Sequence, residues 1–176
     1  VALAHPGGLT DEAIVVVAAH SPVSCVEDLQ PGIRVASTAD PDVNMMGMIM
    51  LEPADLGQSN IQTEICSSYT LVAKQLLNGH ADLGILPARA FDGLSEMVKN
   101  ALRPLVRSEI SVVKHMFLIG PQASASLSNL RQAIIGMDKD EKGRAILKDL
   151  GFSAWEASSQ EDVEFMIDLV DTLVDH

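Results

Sequence analysis

Apolar and polar positions along this chain fall into short, evenly punctuated blocks. "AIVVVAA" (13–19) is a β-branched apolar run of the length of a buried strand. The stretch after it, "HSPVSCVEDLQPG", predicts a short helix capped by Ser24 and stopped before Pro31-Gly32. "IRVAST" (33–38) predicts the next strand, "ADPD" a turn, and a helix follows over 43–52 until Pro53 ends it. "NIQTEI" (60–65) alternates as a strand does, while "SSYTLVAKQLLNG" has a serine cap, helical periodicity and an Asn-Gly stop. "ADLGIL" predicts a fourth strand, and Pro87 opens a helix through Met97 from the favoured first-turn position.

"LRPLVRS" and "SVVKHMFLIG" predict two more extended segments. After Gly120 the pattern is helical to the end, through "SLSNLRQAIIGM", "DEKGRAILKDLG" and "SQEDVEFMIDLVDTLV". Ser159 and Asp162 form a capping box at the start of the last, with Asp in place of the usual Glu. Strands alternating with helices imply an α/β fold with a central mixed, mostly parallel sheet flanked by helices. The expected division is an α/β lobe over 1–121 and a C-terminal helical segment over 122–176.

Composition narrows the function classes. Against 12 Lys plus Arg stand 24 Asp plus Glu, a net charge of −12. That balance opposes a phosphate backbone, which needs a basic patch, so nucleic acid is not an expected partner. No apolar run approaches the roughly 18 residues of a membrane span. The chain opens on Val1 with no signal-peptide pattern, which reads as a processed or trimmed start.

Candidate chemistry is sparse. Met45, Met46, Met48 and Met50 crowd one helix, and thioethers are soft ligands for Cu(I). No His or Cys sits among them, so the favoured reading is core or pocket wall filled by adaptable side chains. None of His5, His20, His80, His115 and His176 has metal-ligand spacing to another, and His115 interrupts an apolar segment. Cys25 and Cys66 read as unpaired semi-buried thiols, with a disulfide as the alternative in an oxidising compartment. No Gly-x-Ser-x-Gly elbow or catalytic-cysteine context is present.

The succession of motifs carries more. "EDLQPGIRVASTADPD" before a helix, "QTEICSSYTLVAKQLLNGHADLGILP", and "GRAILKDLGFSAWEASSQEDVE" together resemble the periplasmic phosphonate- and phosphate-type solute-binding proteins of ABC transporters. The resemblance covers about 13–175 and includes versions used as sensor modules. It implies a two-lobed periplasmic-binding-protein-like fold, a periplasmic or extracytoplasmic location and no cofactor. The implied partners are a small-molecule ligand and either an ABC permease or a fused signalling domain. It also implies that the upstream part of the first lobe has almost no counterpart here. The C-terminal helices then either dock on the sheet or pair two chains as a homodimer.

Residue by residue, the resemblance places ligand contacts at Asn44, Met45 and Met46, at Ser67, Ser68 and Tyr69, and at His115. Where the family has a Ser-Thr-Ser-Gly turn, this chain reads Val43-Asn44-Met45-Met46-Gly47, and the family His falls on Tyr69. Pro87-Ala88 stands where a carboxylate is often found, and His115 takes the place of another. These exchanges imply altered specificity, with negligible affinity for 2-aminoethylphosphonate. An anion then has only the N–H groups at the helix start to hold it. Two other readings stand beside non-catalytic binding: an enzyme using His115, Tyr69 or a cysteine, and an interaction domain with a degenerate pocket.

Overall fold

The structure, a computed structural model, describes residues 2–7, 12–109, 115–120, 122 and 126–174. The chain divides into two compact units, one of residues 11–110 and one of residues 1–10 with 111–175.

The larger unit is a five-stranded sheet covered by helices. Its strands are β2 (Ala13–Ala18), β3 (Arg34–Thr38), β4 (Gln62–Cys66), β5 (Leu83–Pro87) and β6 (Leu102–Arg107), in the order β4-β3-β5-β2-β6. β3 runs parallel to both β4 and β5, whereas β2 is antiparallel to β5 and to β6. The sheet is therefore mixed, with β2 the strand that runs against the others. β2 is buried along its whole length, as an apolar run covered on both faces must be.

Helices α1 (Pro41–Leu51) and α2 (Tyr69–Leu77) cover opposite faces. Neighbouring strand residues show this, since side chains alternate across a sheet. A Cβ on Gly47 of α1 would fall 2.6 Å from the Ile85 side chain, while a Cβ on Gly84 would meet Leu76 and Val72 of α2. Both contacts are with packed side chains, which would have to shift to admit a Cβ. On the α1 face Met46 is wholly buried and Met50 nearly so, with Met45 and Met48 half-buried. The methionine cluster thus supplies core packing on one side of its helix.

Three expectations within this unit need correction. The segment after β2 forms only a 3₁₀ turn, Val26–Asp28, and Ser24 does not cap it. Asp28 instead reaches back to accept from the Ser24 and Cys25 N–H groups at 2.8 and 3.2 Å, an ionised acceptor outcompeting a hydroxyl. The helix expected from Pro87 to Met97 is two short ones, α3 (Ala88–Asp92) and α4 (Glu96–Asn100). Pro87 closes β5 and sits at the N-cap of α3, and the chain leaves the helix at Gly93. Cys25 is exposed rather than semi-buried; it and the buried Cys66 are both free thiols.

The smaller unit contains β1 (Ala2–Pro6), β7 (Phe117–Leu118) and β8 (Trp155–Ala157), in the order β7-β1-β8 and antiparallel throughout. Its helices are α5 (Leu127–Ile135), α6 (Glu141–Leu150) and α7 (Gln160–Val174). α5 lies against β1 and β8, and Trp155 stacks edge-on with Phe117 and Phe152. The all-helical expectation after Gly120 missed β8, whose strand character comes from pairing with β1 at the other end of the chain. Of the expected extended segment "SVVKHMFLIG", residues 111–114 lie outside the described residues, and among the described ones Phe117–Leu118 forms a strand. The Ser159–Asp162 capping box is present: Asp162 N–H donates to Ser159 Oγ at 3.0 Å, and Ser159 N–H to the Asp162 carboxylate at 3.1 Å.

Candidate functional site

Parallel strands bring their C-terminal ends to one edge of a sheet, where open α/β folds place ligands. In the larger unit β3 ends at Thr38 beside Cys66 of β4, and β5 ends at Pro87 opposite Ala13, the first residue of reversed β2. β6 finishes at the same edge, just before Ser108. The polar residues of the β3, β4 and β6 ends therefore line one rim.

On the β3 side they form a continuous hydrogen-bond network. Ser37 Oγ donates to Asn44 Oδ1 at 2.5 Å, and Asn44 Nδ2 donates to the Thr38 carbonyl at 2.8 Å. Thr38 Oγ1 donates to Asp40 Oδ2 at 2.8 Å, and the Tyr69 hydroxyl donates to the same oxygen. Asp40 occupies the N-cap position of α1, ahead of Pro41, but its side chain caps no helix N–H. It is turned to the two hydroxyls instead. Ser68 does cap its helix, accepting from the Leu71 N–H at 3.3 Å.

The titration directions agree with this geometry. The Tyr69 and Thr38 hydroxyls hold the Asp40 carboxyl below its ordinary range, Tyr69 contributing most. Burial pushes the Tyr69 phenol up, helped by its bond to Asp40 and the negative charges of Asp40 and Asp42. The pair therefore stands as a neutral phenol donating to a carboxylate. Burial likewise raises the Cys66 thiol, with the charge of Glu64 adding to it.

Towards β6 the rim is drier. Ser108 is buried; its hydroxyl accepts from the Ala13 N–H at 2.9 Å, donates to the Glu12 carboxylate, and lies 3.9 Å from the Met46 sulfur. Met46 therefore faces the core beneath this edge.

Of the residues expected to contact a ligand, Asn44 and Tyr69 are joined through Thr38 and Asp40, with Ser67 and Ser68 exposed beside Tyr69 at the end of β4. Met45 is half-buried on α1. His115 belongs to the other unit, where it is exposed. Ser37, Thr38 and Asp40 were not among the expected contacts. Their signal was a Ser-Thr pair closing a strand and an Asp-Pro pair opening a helix. A cavity of about 490 Å³ lies at the opposite sheet edge, among residues including Ala18, His20, Leu29, Ile33 and Ala81. It is remote from this network. Among the described residues no group of three His, Cys, Asp or Glu could hold a metal ion, and no helix is long and apolar enough to cross a membrane.

A mixed sheet flanked by helices, with polar residues gathered at its strand C-termini, defines a periplasmic-binding-protein-like lobe. A known protein family accounts for nearly the whole chain: residues 1–163 match the ABC transporter phosphonate periplasmic substrate-binding proteins. The chain belongs to that family, whose members are periplasmic and bind small solutes for an ABC permease. No curated protein sequence matches it.

Solved structures agree on the fold. XAC2383 from Xanthomonas citri, bound to chloride ion, superposes with a TM-score of 0.79 at 17% identity, covering 99% of this chain and 70% of that one. PhnD1 from Prochlorococcus marinus, in complex with methylphosphonate, gives 0.74 at 12% identity, over 100% of this chain and 72% of its own. The periplasmic aliphatic sulphonate binding protein SsuA from Escherichia coli gives 0.66 at 15% identity, over 99% and 64%.

Proposed function

We propose that this protein is a non-catalytic solute-binding module whose ligand lies against the C-terminal rim of the five-stranded sheet, with specificity altered from the aminophosphonates of the resembled family. Asn44, Met45, Ser67, Ser68 and Tyr69 supply the contacts from this unit, while Met46 packs in the core beneath them. The observation that carries the reading is the network joining Asn44 to Tyr69 at the rim of a chain that matches a solute-binding family over residues 1–163. A few polar groups converging at one rim suit a small organic solute. Its setting is extracytoplasmic, and its partner is an ABC permease or a fused signalling domain.

A thermal-shift screen tests this with small phosphonates, sulfonates, and neutral and cationic organic solutes. A hit is expected to raise the melting temperature, to weaken in Tyr69→Ala and Asn44→Ala, and to leave the solute chemically unchanged after prolonged incubation. Binding to N but not U must stabilise the fold by mass action. A folded protein that no solute in the screen stabilises would overturn the proposal.

A further inference from the structure

We infer that Asp40 is a specificity-determining residue that excludes an oxyanion from the β3–α1 side of the rim, so that the solute presents a neutral or cationic group to Tyr69. This rests on the solute-binding reading of the rim given above.

A helix start that follows a hydroxyl-bearing turn is physically a seat for an anion, because N–H and O–H donors converge there. Here the side-chain donors are already engaged. The hydroxyls of Thr38 and Tyr69 both point to one carboxylate oxygen of Asp40, and Ser37 and Asn44 are directed to acceptors within the same turn. Asp40 thus takes the place that a ligand oxyanion would otherwise hold, tethered by its own backbone at the head of α1. An incoming oxyanion must displace this carboxylate from two hydroxyls or stand beside it as a like charge. Asp42, in the first turn of the same helix, adds a second negative charge that Tyr69 senses. Asp40 is exposed, so its charge meets the solute directly. A neutral or positively charged group meets neither obstacle, and a cation gains from the carboxylate and from the face of the Tyr69 ring.

Two substitutions separate charge from occupancy. Asp40→Asn removes the charge and keeps the shape, while Asp40→Ala also releases both hydroxyls. Asp40 caps no helix N–H through its side chain, so both variants are expected to fold, as checked by circular dichroism. Calorimetry near neutral pH uses methylphosphonate, methanesulfonate and inorganic phosphate as probes. At least a tenfold gain in affinity for one of them is expected in Asp40→Asn and a larger gain in Asp40→Ala. Adding Thr38→Val to Asp40→Ala should remove part of that gain.

Wild-type affinity equal to or tighter than that of both variants overturns this inference and leaves the site reading intact. So do variants that ignore all three anions while still binding a neutral or cationic solute found in the screen. Should neither wild type nor variants respond to any solute, the site reading falls, and this inference with it.

Discussion

The hydroxyl of Tyr69, in the first turn of α2, donates to the carboxylate of Asp40, the residue that precedes α1. The bond ties the starts of two helices that cover opposite faces of the sheet. Hydrogen bonds to charged groups exceed neutral ones, but exposure of Asp40 returns much of that gain to solvent. Tyr69→Phe is therefore expected to cost less than about 1 kcal/mol in urea unfolding. In a double-mutant cycle with Asp40→Ala, a coupling of about 0.5 kcal/mol is expected. Additive losses would show that the bond carries no stability.

The lowered Asp82 carboxyl gives a pH signature. Arg34 holds it with two parallel bonds, Nη2 to Oδ1 at 2.6 Å and Nε to Oδ2 at 3.0 Å, and these are the main cause of the lowering. A carboxylate whose folded pKa lies below its unfolded one stabilises the fold above the unfolded value, about 3.9 for Asp. That contribution disappears as pH falls through the folded value. The melting-temperature gap between wild type and Asp82→Asn should thus be full at neutral pH and close progressively below about pH 4. High salt should narrow it at neutral pH, since both side chains are nearly half exposed. A gap that widens on acidification would contradict the assignment.

Gly47 should be among the least replaceable residues of α1. A Cβ there would stand 2.6 and 2.7 Å from two Ile85 carbons, and Ile85 is wholly buried in β5. The better helix propensity of alanine gives back only about 1 kcal/mol. Overpacking of a dense core costs typically about 1–3 kcal/mol, so Gly47→Ala is expected to destabilise on balance. Chemical denaturation checks this, and Ile85→Val in the same chain should recover part of the loss. A neutral or stabilising Gly47→Ala would mean that α1 shifts freely on the sheet.

These cases show what was legible in the chain and what was not. β2 to β5 and α2 were readable because each is a local apolar pattern bounded by its own turn or cap, Ser68 being an example. β1 and β8 were not, because a segment such as "WEA" acquires its strand only by pairing with residues some 150 positions away. The reversal of β2 was equally hidden: an apolar run specifies burial but not direction. At the rim, Tyr69 and Asn44 could be located by resemblance. Asp40 could not, because an Asp before a Pro reads as helix-start punctuation, and only in the folded chain is its carboxylate turned away from the helix to two hydroxyls.

The C-terminal helices bear on assembly. α6 buries Leu147 almost completely on one side, while Ile146 and Leu150, one turn apart, remain 51% and 54% exposed. Phe165 and Ile167 on α7 are 48% and 53% exposed. Single exposed apolar residues are ordinary, but a helix that shows a pair on one face offers a seam to a second copy. Each such side chain gains up to about 1.5–3 kcal/mol when fully buried, so a symmetric contact that buries the pair from both copies can offset part of the cost of association. Light scattering across a dilution series is expected to show a dimer that dissociates on dilution. Replacing both residues, Ile146→Glu with Leu150→Glu, should shift it to monomer with the circular dichroism unchanged, because neither side chain belongs to the buried face of α6. A monomeric mass at every concentration would exclude pairing through α6, and a dimer insensitive to the double substitution would place the contact elsewhere.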